Sequence, residues 1–151
     1  MDTKKLTYTY DVYVNDKQRK MKFVEIPGFL ESLAESLPEE KNTFIECDTW
    51  QIGYEPELDQ WFIADNGDCY YVTSLKRALM IKAYEIKSEI YDLVFDHEED
   101  FQDILMKPIM PEAKNWYDIV EEYNAYMPWS ERDYVELFYN FILKQLEGSN
   151  D

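Results

Sequence analysis

Glycine is scarce in this 151-residue chain: four residues, at 28, 53, 67 and 148. They form neither a GxGxxG nor a Walker A pattern, so phosphate cradling of the Rossmann or P-loop kind is excluded. Histidine is scarcer still, and His97 is the only one. Cysteine occurs twice, at 47 and 69, without a CxxC or an HxxxH, which leaves zinc without a ligand set. Two cysteines do not make a secreted disulfide scaffold either, and both lie in apolar or aromatic strand-like segments. They are therefore expected as buried, reduced thiols. Basic residues are outnumbered, 15 Lys and Arg against 32 Asp and Glu, for a formal charge of −17. Phosphate contacts need clustered cations, so direct nucleic-acid binding and adhesion to anionic membranes are both disfavoured. Nowhere do 18 apolar residues follow one another, which excludes a conventional membrane-spanning helix. Met1–Lys5 runs into a strand pattern without an apolar h-region, so no secretory signal is expected and the cytoplasm is the expected compartment.

What is present is a core. Hydrophobic residues make up 46% of the chain and aromatics 17%, far above an acidic disordered tail. Leu6, Tyr8, Tyr10, Val12 and Val14 recur at a period of two and predict a half-buried strand. Asn15-Asp16 then turns the chain into a second strand over about 18–26, which Pro27-Gly28 ends. Phe29, Leu30, Leu33 and Leu37 predict a short helix over 28–37, stopped before Pro38. Residues 43–54 hold one or two strands, followed by an acidic loop at 55–60. Trp61–Asp65 and Asp68–Val72 flank Asn66-Gly67, the strongest short hairpin signal. A two-residue turn pairs Ala64 with Cys69, Ile63 with Tyr70, Phe62 with Tyr71 and Trp61 with Val72. Both faces of that hairpin are apolar, which predicts a central or doubly covered position.

Beyond Val72 the period lengthens to 3.6. Ser74 reads as an N-cap, and Leu75, Leu79, Ile86, Ile90 and Leu93 trace a stripe over 75–95. Further helices are expected over about 98–106, over 111–125, and from Ser130 to Gly148, the last with Phe138, Phe141, Ile142 and Leu146 facing inward. The expected fold is α+β, an antiparallel sheet from the N-terminal half packed against a helical C-terminal half. One domain over 1–151 is expected, with 107–111 as the place where it could subdivide.

Charge is unevenly distributed. Residues 1–24 carry +3, 25–75 carry −11, 76–90 carry +2 and 91–151 carry −11. Asp92, Asp96, Glu99 and Asp103 recur at helical spacing, although each like-charged pair destabilises a helix by about 0.2–0.5 kcal/mol. Asp118 with Glu122 repeats the spacing, and Asp65 and Asp68 fall opposite each other across the hairpin turn, another unfavourable pairing. Charge runs are often no more than solvated faces. Local rules broken without compensation nevertheless point to function. The candidate partner-binding residues are therefore Asp92, Asp96, Glu99, Asp103, Glu121 and Glu122, with Glu55, Glu57 and Asp59 as a second patch. Interleaved tyrosines at 54, 91, 117 and 123 add interface-type area.

Catalytic machinery is not expected. The carboxylates around His97 favour the imidazolium, a poor general base. Residues 96–107 place acids at the first, third and fifth positions of a calcium loop but put Phe101 where glycine is needed and Lys107 where glutamate is needed. No metal, cofactor or catalytic residue is assigned.

Asp65-Asn66-Gly67-Asp68-Cys69-Tyr70-Tyr71-Val72 resembles, over those eight residues, the glycine-plus-aromatic strand of SUKH-type toxin-immunity domains, without that strand's extra glycines. No site residue is carried over from it. In composition the chain resembles small acidic inhibitors of bacteriophages and mobile elements, the anti-CRISPR and anti-restriction proteins that imitate the charge of DNA. It equally resembles acidic immunity proteins that neutralise basic nuclease toxins. The leading expectation is a non-catalytic, DNA-mimicking inhibitor that blocks a basic nucleic-acid-binding surface on a partner protein. The alternatives are an immunity protein for one cognate basic toxin and a plain acidic structural or assembly protein.

Overall fold

The computed structural model describes Leu6, residues 8–96 (side chains to Leu93) and residues 135, 136, 139, 140, 142 and 143. The chain divides into two compact units, one spanning Lys4–Ile86 and the other joining Met1–Thr3 to Lys87–Asp151.

The first unit is built on a six-stranded antiparallel sheet. Its strands are β1 (Thr9–Val14), β2 (Lys17–Lys22), β3 (Ile45–Cys47), β4 (Trp50–Glu55), β5 (Gln60–Asp65) and β6 (Asp68–Val72), in spatial order β2-β1-β3-β4-β5-β6. Helix α1 (Ile26–Ser36) connects β2 to β3, and helix α2 (Leu75–Asp96) follows β6. The fold is α+β, as the periodicities predict.

The turns explain the register. Asn15 and Asp16 both adopt left-handed backbone, φ 51° and 69°, the requirement of the tight turn whose twist matches its flanking strands. Val14 therefore faces Lys17, and the β1–β2 pairing runs back to Thr9 and Lys22. Asn15 also clips the connection before β3: its N–H donates to the Phe44 carbonyl and its Oδ1 accepts from the Phe44 N–H, both at 2.8 Å. Asn66 (φ 49°) and Gly67 (φ 93°) make the same kind of turn between β5 and β6, with the pairing expected from Trp61–Val72 to Ala64–Cys69.

Cross-strand partners share a face, so Arg19, Val12, Cys47, Trp50, Asp65 and Asp68 form one transverse row. The Arg19 guanidinium lies 5.1 Å from the Phe29 ring of α1, and the Lys82 ammonium of α2 lies 5.3 Å from the Trp50 ring. Both helices thus cover the same side. Beneath them Val12, Ile45, Ile52, Ile63, Leu30, Leu75 and Leu79 are buried. Each such aliphatic side chain stabilises the fold by about 1.5–3 kcal/mol relative to an exposed one. On the face opposite the two helices Gly53 leaves room for the Phe62 ring. A Cβ at residue 53 would stand 2.7 Å from Phe62 Cζ and 3.0 Å from Phe44 Cδ2.

Three local expectations are corrected. The second strand stops at Lys22, not near 26. Phe23–Glu25 form a 3-10 turn, and Pro27 falls in the first turn of α1, where it lacks only an N–H that has no helical partner anyway. The Glu25 carboxylate accepts from the Lys22 N–H at 2.9 Å, which fixes that switch from strand to helix. The β5–β6 hairpin is not central: among the described residues β6 is an edge strand, and Tyr71, on the face opposite α2, is 44% exposed. Cys69 is accordingly exposed, not buried, while Cys47 is buried as expected.

Helix α2 begins as its sequence predicts. Ser74 Oγ accepts from the Arg77 N–H at 3.1 Å, the Ser74 carbonyl starts the helical ladder, and Glu39 caps the Leu75 N–H at 2.7 Å. Leu75, Leu79, Ile86 and Ile90 are buried along the predicted stripe.

In the second unit, residues 135, 136, 139, 140, 142 and 143 are helical, and Val135, Tyr139 and Ile142 are buried at helical spacing. Lys87 is buried there too, with its ammonium 2.7 Å from Glu136 Oε2 and 5.0 Å from the Tyr139 ring centroid. The helices expected over 98–106 and 111–125, together with Phe138, Phe141 and Leu146, lie outside the described residues.

Candidate protein-binding surface

The acidic loop 55–60 becomes the β4–β5 turn. Its shape follows from its residues. Pro56 restricts the backbone after Glu55, and Asp59 accepts a left-handed conformation (φ 51°), which short polar side chains tolerate. The Tyr54 hydroxyl donates to Asp59 Oδ1 at 2.5 Å, and the Glu57 N–H donates to Glu55 Oε1 at 3.1 Å. Two of the three candidate carboxylates therefore also hold the turn together. The Tyr54 ring packs edge-on against Trp61 with centroids 5.5 Å apart, and the Lys41 ammonium lies 5.2 Å from the same ring. The bond to Asp59, and the desolvation that comes with it, raise the Tyr54 hydroxyl above its ordinary pKa, so it remains the donor at neutral pH.

Two groups of the turn stand unengaged among the described residues. The Glu57 carboxylate has no bonding partner among the described residues, and Leu58 is 52% exposed beside it. A pinned turn that presents one free carboxylate next to an exposed leucine can dock on a surface that is cationic and partly apolar.

Glu55, Glu57 and Asp59 are thus brought together by one turn. Asp92 is exposed on α2, in the other unit, and Asp96 is the last residue of that helix. Glu99, Asp103, Glu121 and Glu122 lie outside the described residues, as do His97 and all but the first residue of the calcium-like stretch. Among the described residues no group of three or more His, Cys, Asp or Glu side chains could hold a metal ion, and no helix is long and apolar enough to cross a membrane.

The Asp65–Asp68 pairing does have a structural compensation. Asp65 accepts from the buried Lys82 ammonium, whose second carboxylate is Glu85 at 3.3 Å. Glu85 in turn accepts from the Tyr70 hydroxyl. Burial and this bond to Glu85 hold Tyr70 protonated far above the ordinary tyrosine range. Neither Lys82 nor Lys87 was expected inside. One signal for Lys82 is present in the sequence: the apolar stripe of α2 skips from Leu79 to Ile86, and Lys82 fills the missing turn. Lys87 likewise lies on a buried line with Ala83 and Ile90.

The two thiols should react very differently. Burial, with the charges of Asp48 and Asp11, raises the Cys47 thiol to about 11, whereas Cys69 is exposed on the edge strand. A two-unit shift alone lowers the thiolate fraction about 100-fold. Native protein should therefore release about one equivalent of thionitrobenzoate from Ellman's reagent rapidly and the second only on unfolding. Two fast equivalents would contradict the burial of Cys47.

No protein-family model matches this chain, and neither a curated protein nor a solved structure does.

Proposed function

We propose that the chain is a non-catalytic acidic inhibitor acting in the cytoplasm. Its carboxylates stand in for nucleic-acid phosphates and occupy a basic nucleic-acid-binding surface on a partner protein. The observation that carries this reading is the β4–β5 turn, where three carboxylates are gathered within five residues and the turn is pinned by its own hydrogen bonds, in a chain of net charge −17. Glu55 and Asp59, fixed before encounter, lose little side-chain entropy on contact, and all three carboxylates steer a cationic partner. A free buried thiol and a free exposed one also fit a reducing compartment.

Capture from host lysate on the immobilised chain, with elution by rising salt, tests the proposal. The captured protein should bind nucleic acid through a basic surface, and duplex DNA should displace it. The variant Glu55→Gln/Glu57→Gln/Asp59→Asn should bind it at least about tenfold more weakly, since charged interface contacts contribute 1.4 kcal/mol or more in total. Unchanged capture by that variant, or indifference to DNA, would count against the reading.

The exposed Leu58 favours a second reading, an immunity protein that recognises one basic toxin by shape. In that case Leu58→Ala should weaken binding more than the charge variant does, and affinity should fall only shallowly with salt.

A further inference from the structure

The strongest departure from the acidic character of the first unit is the edge strand β2. Lys17, Arg19, Lys20 and Lys22 all lie on it, and none takes part in an ion pair among the described residues. Among the described residues, the far side of β2 carries no neighbouring strand. The two-residue turn makes Val14–Lys17 a hydrogen-bonded pair, so Lys17, Arg19 and Met21 direct their peptide groups toward β1. Gln18 and Lys20 consequently direct theirs to the open edge, where a further strand could bond. At Lys22 that edge is closed, because its N–H is held by Glu25.

A groove of about 570 Å³ runs beside this edge, lined by Val14, Lys17 and Arg19 on the hairpin and by Phe29, Leu33 and Leu37 on the helical side. The last three recur every four residues and are only half-buried, so they form an apolar floor open to solvent. Lys17 and Arg19 stand between that floor and the open edge, with Arg19 resting on Phe29. Lysines on an edge strand commonly prevent association with another sheet. They repel a second copy of β2 and attract an anionic strand equally well.

We propose that β2 and this groove bind an extended acidic peptide segment of a partner protein, which adds as a seventh strand. Its backbone bonds to Gln18 and Lys20. Its side chains on the α1 side place apolar groups over Phe29, Leu33 and Leu37, and the alternate ones, carboxylates, meet Lys20 on the opposite face. Strand addition draws affinity from the backbone and specificity from alternate side chains, which matches an open edge running beside an apolar groove. This site is separate from the acidic turn, and it selects the opposite charge.

Fluorescence anisotropy with a labelled eight-residue peptide of alternating Glu and Val tests the proposal on the full chain. The Glu/Val peptide should bind, and its Lys/Val counterpart should bind at least tenfold more weakly. Amide exchange at Gln18 and Lys20 should slow when the Glu/Val peptide is present. Methylating the peptide nitrogens that face β2 should weaken binding at least tenfold, whereas methylating the outward-facing nitrogens should leave it unchanged. The variant Lys20→Glu, at an exposed position, should lower affinity at least tenfold with an unaltered circular dichroism spectrum. Equal binding of the two peptides, or equal sensitivity to methylation at either set of nitrogens, would overturn the proposal. So would salt-sensitive self-association in the ultracentrifuge that Arg19→Glu abolishes, which would assign the edge to a second copy of the chain.

Discussion

Replacing Asp65 with Ala should lower the free energy of unfolding by about 3 kcal/mol, the scale found when one member of a buried ion pair is removed. The cause is asymmetric. Lys82 is 2% exposed, and its ammonium is held by Asp65, by Glu85 at 3.3 Å and by the face of Trp50. Without Asp65 a buried cation keeps only the more distant carboxylate. The reverse change, Lys82→Met, should cost less, about 1–2 kcal/mol, because the side chains of Asp65 and Glu85 are each more than a third exposed and can turn to water. Methionine also retains the aliphatic packing against Trp50. The double variant Lys82→Met/Asp65→Asn should recover most of the Asp65→Ala loss. Urea midpoints at constant m-value would give all three figures, and equal losses in the two single variants would remove the buried cation as the cause.

Alkali should destabilise the protein from about pH 9 upward. Burial, then the charges of Asp48 and Asp11, push the Cys47 thiol from 9.0 to about 11. A group whose folded pKa is raised contributes its full stability below the unfolded value and loses it as pH rises through the folded one. The loss therefore begins near pH 9 and is complete above about pH 11, amounting to about 2–3 kcal/mol at ~1.4 kcal/mol per unit. Tyr70, desolvated and bound to Glu85, adds a second decline that starts from the ordinary tyrosine range and continues upward. Urea unfolding under reducing conditions at pH 7 to 11 should show this slope. Cys47→Ala should be less stable at pH 7 yet flatter between pH 9 and 11, and Tyr70→Phe should flatten the profile from about pH 10 upward. A Cys47→Ala profile parallel to that of the unsubstituted chain would show that the thiol does not drive the transition.

The parts of the fold legible in the sequence are those governed by local chemistry. Asn15-Asp16 and Asn66-Gly67 specify their turns because left-handed backbone is needed there, and the β5–β6 register follows from turn length alone. Ser74 and the stripe from Leu75 to Ile90 locate α2. What stayed hidden depends on distant partners. Val24 and Ile26 fit a continuing strand by residue type, yet the bond from Lys22 to the Glu25 side chain diverts the chain into a helix. Cys69 and Tyr71 look like core residues by type, yet both are exposed on the edge strand β6. Of the candidate site, Glu55, Glu57 and Asp59 were legible as a patch because they are adjacent in the chain. Leu58 between them carries no such signal, since exposure of a lone leucine is decided by where the turn projects. Asp65 and Asp68 looked uncompensated because Lys82 arrives from 17 residues beyond Asp65.

Strand β3 has a consequence for how the sheet gives way. It is three residues long and meets each neighbour over only three residue pairs, whereas β4 and β5 share six. The sheet is therefore a two-stranded ribbon and a three-stranded ribbon joined at a narrow waist. Load or thermal agitation will concentrate at that seam, and the double clip between Asn15 and Phe44 acts there as a rivet whose failure lets the ribbons part while each keeps its own ladder.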